Sequence, residues 1–367
     1  MLKVAQIWSG IQAVLFPHLE HCLLTKLTDK QRQLVGILEL VRIEEHLPPG
    51  WVQVMGRPKC DRRALARAFV AKAVYNLPTT SLLVEMLQAE PNLVLICGFK
   101  HAGEVPSEAT FSRAFAEFAT SNLADKVHAA LVQAHVGEHL VGHISRDSTA
   151  IAAREKPLRK LPQPPKQSKR RRGRPKPGEV LDQSGQPQKR LPKQITQAPQ
   201  VALAELPTAC DVGMKLDSKG HKTVWIGYKV HFDVDDVGLP ITVVTTSASL
   251  HDSQVAIPME KLTAQRVTSL YSLMDAAYDA ELIKQCCREW GHVPIIDPNA
   301  RRGGKVPLDP AEAQRFKQRT VVERAYSRLK DAFGGRHVRV RGHCKVHAHI
   351  MFGVLALFAD QSLKLVT

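Results

Sequence analysis

Residues 223–236, TVWIGYKVHFDVDD, constrain the fold more than any other stretch. Val224, Ile226, Tyr228, Val230, Phe232 and Val234 alternate strictly with more polar positions. A period of two belongs to a strand with one apolar face, and such a strand needs a sheet around it and a layer to cover it. Val237-Gly238 predicts a turn, and LPITVVTTSAS from Leu239 predicts a second strand, so the pair makes a hairpin. Upstream, HLVGHISRD reads as a strand from His139 that ends at Asp147. Downstream come a helix over 253–266 capped by Asp252, a buried strand SLYSLMD ending at Asp275, a helix over 278–290 and a buried strand HVPIID. An antiparallel hairpin followed by parallel crossovers predicts an α/β chain built on a mixed sheet.

The stretch 309–335 reads as one long helix with both ends marked. Asp309 suits the N-cap, Pro310 the first helical position, and Gly334-Gly335 the stop. At about 100° per residue, Phe316, Arg319, Glu323 and Lys330 fall on one face. An Arg319–Glu323 pair at i,i+4 is, on its own, ordinary helix decoration. Its position beside two strand-end aspartates points further. In an open α/β sheet, ligands are held at the carboxyl ends of strands. Asp147, Asp275 and Glu323 delivered there would suit two divalent cations, and cutting a phosphodiester with two hard cations needs carboxylates rather than a nucleophilic side chain. Arg319 and Lys330 would then neutralise phosphates.

Charge narrows the partner. The chain carries 51 Lys+Arg against 35 Asp+Glu, a net charge of +16, which implies a polyanion such as nucleic acid. Residues 154–200 supply +11 of this, with nine prolines and no aromatic residue. Such a segment buries too little apolar surface to offset its ordering, so an extended or disordered insertion is expected. Its centre holds Arg170, Arg171, Arg172, Arg174 and Lys176. Arg172-Gly173-Arg174-Pro175 resembles the AT-hook core that enters a narrow A·T minor groove, although sequence-independent phosphate contact suits the same residues. Seven cysteines without a C-x-x-C spacing point to a reducing compartment. No run nears 18 uninterrupted apolar residues, so no membrane span is expected.

The first 136 residues read as a helical domain. Thr28 and Gln31 suit a capping box for a helix to about His46. Leu65, Phe69 and Ala73 form one apolar stripe; Phe111, Phe115 and Phe118 form another behind a Ser107 cap; Asn122 caps a third helix. A helix-turn-helix that docks on DNA is one reading of this domain, and an all-helical support the other.

Several motifs in order carry a family resemblance. PSEATFSRAF (106–115), RDSTAI (146–151), WIGYKVHFDVDDVGLPITVVTTSASLHDSQ (225–254), DAAYDA (275–280) and RTVVERAYSRLK (319–330) together resemble a bacterial insertion-sequence transposase of the Asp-Asp-Glu (DDE) class. The third motif is similar to the family's Tyr-Arg-Glu-Lys signature through Arg319, Glu323 and Lys330. Phe316 stands where a tyrosine is usual, and Ala277 where a glycine is usual. The resemblance, over roughly residues 60–345, implies a ribonuclease-H-like core at 137–153 and 201–345; the residue pattern sets a helical domain 1–136 before it, the insertion 154–200 within it and an apolar helix at 346–367 after it. It also implies Asp147, Asp275 and Glu323 as catalytic metal ligands for two Mg²⁺ ions, with Mn²⁺ as a substitute. The implied partners are DNA at the element's terminal inverted repeats, target DNA, and further copies of the chain in a bacterial cytoplasm. A nuclease with the same core, or a catalytically inactive DNA-binding derivative, are the alternatives. Asp279 is a rival for the metal site. Asp252, His251, Asp297 and the His343, His347 and His349 group read as structural.

Overall fold

The structure is a computed structural model. It describes residues 26–47, 60–157, 189–216, 220–299 and 306–366, together with Gly304. The chain begins with α1 (Asp29–Val41), α2 (Arg62–Val74), α3 (Thr80–Ala89), α4 (Pro91–Cys97), α5 (Glu108–Thr120) and α6 (Leu123–His135). Both halves of the Thr28–Gln31 capping box form. The helix stops at Val41 rather than His46, because Arg42 turns left-handed (φ 43°) and a 3₁₀ turn follows. Ser107 and Asn122 stand at N-cap positions, yet neither side chain caps. The apolar stripes pack as expected: Phe69 meets Phe111, Phe115 and Phe118 at 5.8, 4.9 and 6.2 Å.

The strands are β1 (Leu140–Ala152), β2 (Asp211–Leu216), β3 (Lys222–Val234), β4 (Pro240–Ser247), β5 (Thr268–Met274) and β6 (Val293–Ile296). They form one sheet in the order β2-β3-β1-β5-β6, with β4 also paired to β3. β1 runs antiparallel to β3 and parallel to β5, and β5 runs parallel to β6. The remaining helices are α7 (Arg190–Thr196), α8 (Pro199–Ala204), α9 (Ser253–Ala264), α10 (Glu281–Glu289), α11 (Pro310–Phe316), α12 (Thr320–Ala332) and α13 (His343–Val366). A mixed sheet with flanking helices, after a helical N-terminal region, is consistent with a ribonuclease-H-like core.

Four expectations need correction. First, β1 does not end at Asp147. It continues to Ala152 because β3 pairs with it from Ser145↔Val234 to Ala152↔Gly227, so backbone pairing outweighs the polar side chains of Ser148 and Thr149. Second, the alternation in β3 serves two purposes. Tyr228, Val230, Phe232 and Val234 are buried, but Val224 and Ile226 are 59% and 43% exposed. That half of β3 pairs with β2, a strand not expected from the sequence, in a ribbon off the end of the sheet. Third, the segment 154–200 is not extended throughout. α7 and α8 fold onto the core, where Lys261 Nζ donates to the carbonyls of Gln194, Ile195 and Gln197 at 2.9, 2.6 and 2.8 Å. One buried cation thereby satisfies carbonyls left open at a helix C-terminus. Arg170, Arg171, Arg172, Arg174 and Lys176 lie outside the described residues. Fourth, the stretch 309–335 is not one unbroken helix: a 3₁₀ turn, Lys317–Arg319, separates α11 from α12. Such a turn has about 3.0 residues per turn, and it re-aims the side chains around it.

α13 is long and apolar enough to cross a bilayer by length and composition alone, but it is a core helix. Ile350, Val354, Leu355 and Phe358 are fully buried, and the helix packs against α1, α2, α5, α6 and β4. One apolar cluster joins the N-terminal helices, β1, β3, α12 and α13. The helices within 26–135 and α13 therefore share a core with the sheet.

Candidate active site

The parallel register of β1 and β5 pairs Arg146 with Met274. The next residues, Asp147 and Asp275, come side by side where β5 stops. Asp147 is thus mid-strand in β1 yet stands at the carboxyl end of β5. Its Oδ1 accepts from the Ser148 N–H at 2.7 Å. Burial, then the charge of Asp275, push its carboxyl up to about 6, against the opposing pull of the Ser148 N–H and Arg319. Asp275 caps the 3₁₀ turn Ala276–Tyr278 by accepting from the Ala277 N–H at 3.0 Å. Burial raises its carboxyl too, and Asp252 adds to the rise. Ala277 is not among the described residues with positive φ, so alanine fits this turn without strain.

The opposite face of β1 explains why Asp147 stays where it is. Arg146 is fully buried and grips Asp233 through two bonds of 2.7 Å. It also pairs with Glu260 at 2.8 Å. Glu260 in turn meets His292 at 2.6 Å and Ser272 at 2.8 Å. Buried charges persist only when paired and hydrogen-bonded, so the residue beneath Asp147 has one place to sit.

α12 brings the third carboxylate. Val322, Ala325 and Leu329 press its apolar side into the core, and Tyr326 adds a directional tie. Its hydroxyl accepts from the Phe232 N–H at 2.9 Å and donates to the Asp147 carbonyl at 2.5 Å, with the Val230 carbonyl at 3.2 Å. Glu323, one turn earlier, is 54% exposed and bonded to Arg319 at 2.8 Å. Arg319 also reaches Asp147 Oδ2 at 3.2 Å, so its guanidinium bridges two of the three expected carboxylates. Lys330 Nζ donates to Thr149 Oγ1 at 2.6 Å, two residues along β1 from Asp147. Burial lowers its pKa first, and Arg336 and Lys215 lower it further.

The donor chemistry suits a hard divalent cation. Asp147 and Asp275 are neighbouring carboxylates whose pKa values burial raises, and a cation between them would offset the cost of burying their charge. Glu323 does not join them. Among the described residues no three His, Cys, Asp or Glu side chains are grouped closely enough to hold a metal, because Arg319 stands between Asp147 and Glu323. The rival Asp279 is engaged elsewhere, by Lys284 at 2.7 Å and the Asn299 N–H at 3.0 Å. His343, His347 and His349 are bonded to Thr245, to Thr245 and Asp125, and to Gly334. His251 is bonded to Ser253.

Asp252 is the residue the sequence undersold. It occupies the N-cap position of α9 but makes no capping bond. Its carboxylate pairs with Lys229 at 3.0 Å; burial works to raise its pKa, but His231, then Lys229 and the Ser148 side chain, hold it down. Its charge also bears on Asp275. Lys215, on the unexpected β2, also acts on Asp147 and Asp275. A capping signature describes only the local chain, so neither role was legible.

The chain matches the family model for a transposase DDE domain over residues 206–359 and that for a transposase domain (DUF772) over residues 22–117. The first segment contains Asp275, Arg319, Glu323 and Lys330; Asp147 lies between the two. No curated protein and no solved structure matches the chain. Two transposase domains in succession, with paired aspartates at the end of β5 and a Glu-bearing helix packed beside them, support a transposase of the DDE class.

Proposed function

We propose that this chain is the transposase of an insertion sequence, cutting phosphodiester bonds at the element's terminal repeats and joining the 3′-hydroxyls to target DNA. The observation that carries this reading is the adjacency of Asp147 and Asp275, with Arg319 linking Asp147 to Glu323. Asp147, Asp275 and Glu323 would hold Mg²⁺, or Mn²⁺ in its place. Bound there, a pair of such ions supplies an activated oxygen nucleophile and stabilises the leaving oxygen. Glu323 reaches the aspartates only once Arg319 turns away, and the freed guanidinium is then a ready phosphate ligand beside Lys330. The +16 charge suits DNA, and pairing two element ends calls for more than one copy of the chain.

A strand-transfer assay with Mg²⁺, using labelled DNA that flanks the gene, tests the proposal. Joined products are expected. Asp147→Asn, Asp275→Asn and Glu323→Gln should each abolish cleavage while DNA binding, read by mobility shift, survives. A variant that still cleaves removes its residue from the site. Cleavage without joining by the unaltered protein would favour a nuclease of the same fold, and binding with neither reaction an inactive derivative.

A further inference from the structure

β2 closes one end of the sheet, pairing with β3 and, among the described residues, with no other strand. Backbone bonds fix which of its groups point away. The Gly227 carbonyl accepts from the Ala248 N–H, on the β4 side of β3, and the Ile226 carbonyl from the Ala153 N–H, on the β1 side. Alternation along β3 then turns Trp225 and Thr223 toward β2, and their partners Gly213 and Lys215 toward β3. The N–H and C=O groups of Val212 and Met214 therefore line the outer edge. Their side chains share a face with Val224 and Ile226, and are themselves on residues 46% and 55% exposed. The sheet's other edges are blunted. β6 is only four residues long and contains Pro294. Along β4, the Ile241 carbonyl accepts from Arg266 at 2.6 Å and the Thr245 carbonyl from His343 at 2.8 Å. The Ser247 N–H donates to the Pro207 carbonyl at 2.8 Å.

An open edge with an apolar face is a template for another strand, and the residues of β2 say which one. Asp211 and Lys215 flank Gly213 at equal spacing, and so do Val212 and Met214. A second β2, laid antiparallel about a two-fold axis through Gly213, sets Val212 opposite Met214 and Asp211 opposite Lys215, each twice. The outward backbone groups then face one another, and both charges are matched. Rows of Ile226, Val212, Met214 and Val224 run unbroken across four strands. A slip of two residues either way sets one of the two charges against Gly213 and the other beyond the strand. A lysine on an edge ordinarily discourages pairing; here it selects the register. We propose that the β2 edge is where two copies of this chain meet, joined as one antiparallel ladder centred on Gly213. The Asp211 carboxylate, which accepts from the Val212 N–H at 2.8 Å, passes that N–H to the other copy's Met214 carbonyl and turns to its Lys215. This goes beyond the proposed function, which calls for more than one copy without saying how they meet.

Cross-linking in the full chain tests the register. Opposed residues of a hydrogen-bonded pair have Cα atoms about 5.5 Å apart, within reach of a disulfide. Identical positions lie on the diagonal, about 7–8 Å apart, and are out of reach. Val212→Cys mixed with a differently tagged Met214→Cys should give a disulfide-linked heterodimer under mild oxidation. Either variant alone should link no more than the unaltered protein. Gly213 is left in place, because a side chain there would meet the Trp225 ring. Sedimentation velocity gives a second reading. Asp211→Lys and Lys215→Asp each oppose like charges and should raise the dimer dissociation constant about tenfold, whereas an equimolar mixture of the two variants should restore association. That restoration also shows that both variants fold. A mixed reaction that links no better than either cysteine variant alone overturns the inference. So does a mixture of charge variants that associates no better than its components, or an unaltered chain that stays monomeric. A cross-linked dimer that cleaves no DNA defeats the proposed function and leaves the interface standing; cleavage without the mixed link does the reverse.

Discussion

Asp147 carries opposite demands at the residue scale. Its carboxyl titrates near 6 rather than 3.8 because it is buried next to Asp275. Between those values the folded chain holds a proton that the unfolded chain releases. The stability this group contributes is therefore fully present below 3.8 and is lost as pH rises through about 6. Cation binding runs the other way, since only the carboxylate is a ligand. Cleavage should fall as this carboxyl is protonated at low pH, measured as initial rate from pH 5 to 8, and the fall should move to lower pH as Mg²⁺ is raised. Asp147→Asn should remove this part of the pH dependence of unfolding, read from urea titrations. Glu39 and Asp235 are raised to about 7 by burial as well, so the difference between variant and parent is the quantity to compare. A carboxylate that weakens the fold at the pH where it works is the usual sign of a site kept for function.

Among elements, the decisive relation is between α12 and the sheet. Apolar packing of Val322, Ala325 and Leu329 holds the helix down, but such packing sets no direction. The Tyr326 hydroxyl does, by bonding the backbone of Asp147 and Phe232. Tyr326→Phe would leave the Phe232 N–H without that partner inside the core. A loss of about 1–3 kcal/mol is expected, measured by denaturant unfolding. In RTVVERAYSRLK this tyrosine reads as one more core residue at helical spacing. Nothing in the period separates it from Val322 or Leu329, because the bond it makes lies across 179 residues of chain. The same holds for Arg319: its i,i+4 partner Glu323 is legible, and its partner Asp147 is a product of the 3₁₀ turn before α12.

For the whole molecule, one core runs from the N-terminal helices through the sheet to α13. The helices of 26–135 are thus packed against the sheet through one apolar core. A cut within the basic insertion that spares α7, which Lys261 docks, removes none of the core residues named above. Deleting residues 160–186 takes away eight Lys and Arg side chains. DNA affinity should then weaken, and the slope of log K against log salt should flatten by about 0.9 for each phosphate that is no longer neutralised. Binding measured between about 50 and 200 mM salt checks this; an unchanged slope removes the insertion from the DNA interface.

The sequence by itself determined the periods and the chemistry. The alternation of Tyr228 to Val234, the Thr28–Gln31 capping box, the Asp309 cap and the excess of cations are local properties, and local properties are written in adjacent residues. The register of β1 and β5 sets Asp147 beside Asp275, and Arg319 links Asp147 to Glu323. Tertiary structure decided what those residues meet. β1 passes beyond Asp147 because β3 pairs with it, and β2 forms because β3 outruns the sheet. Asp252 faces Lys229 instead of capping its helix. Each depends on pairing and burial between segments far apart in the chain, which no local pattern encodes.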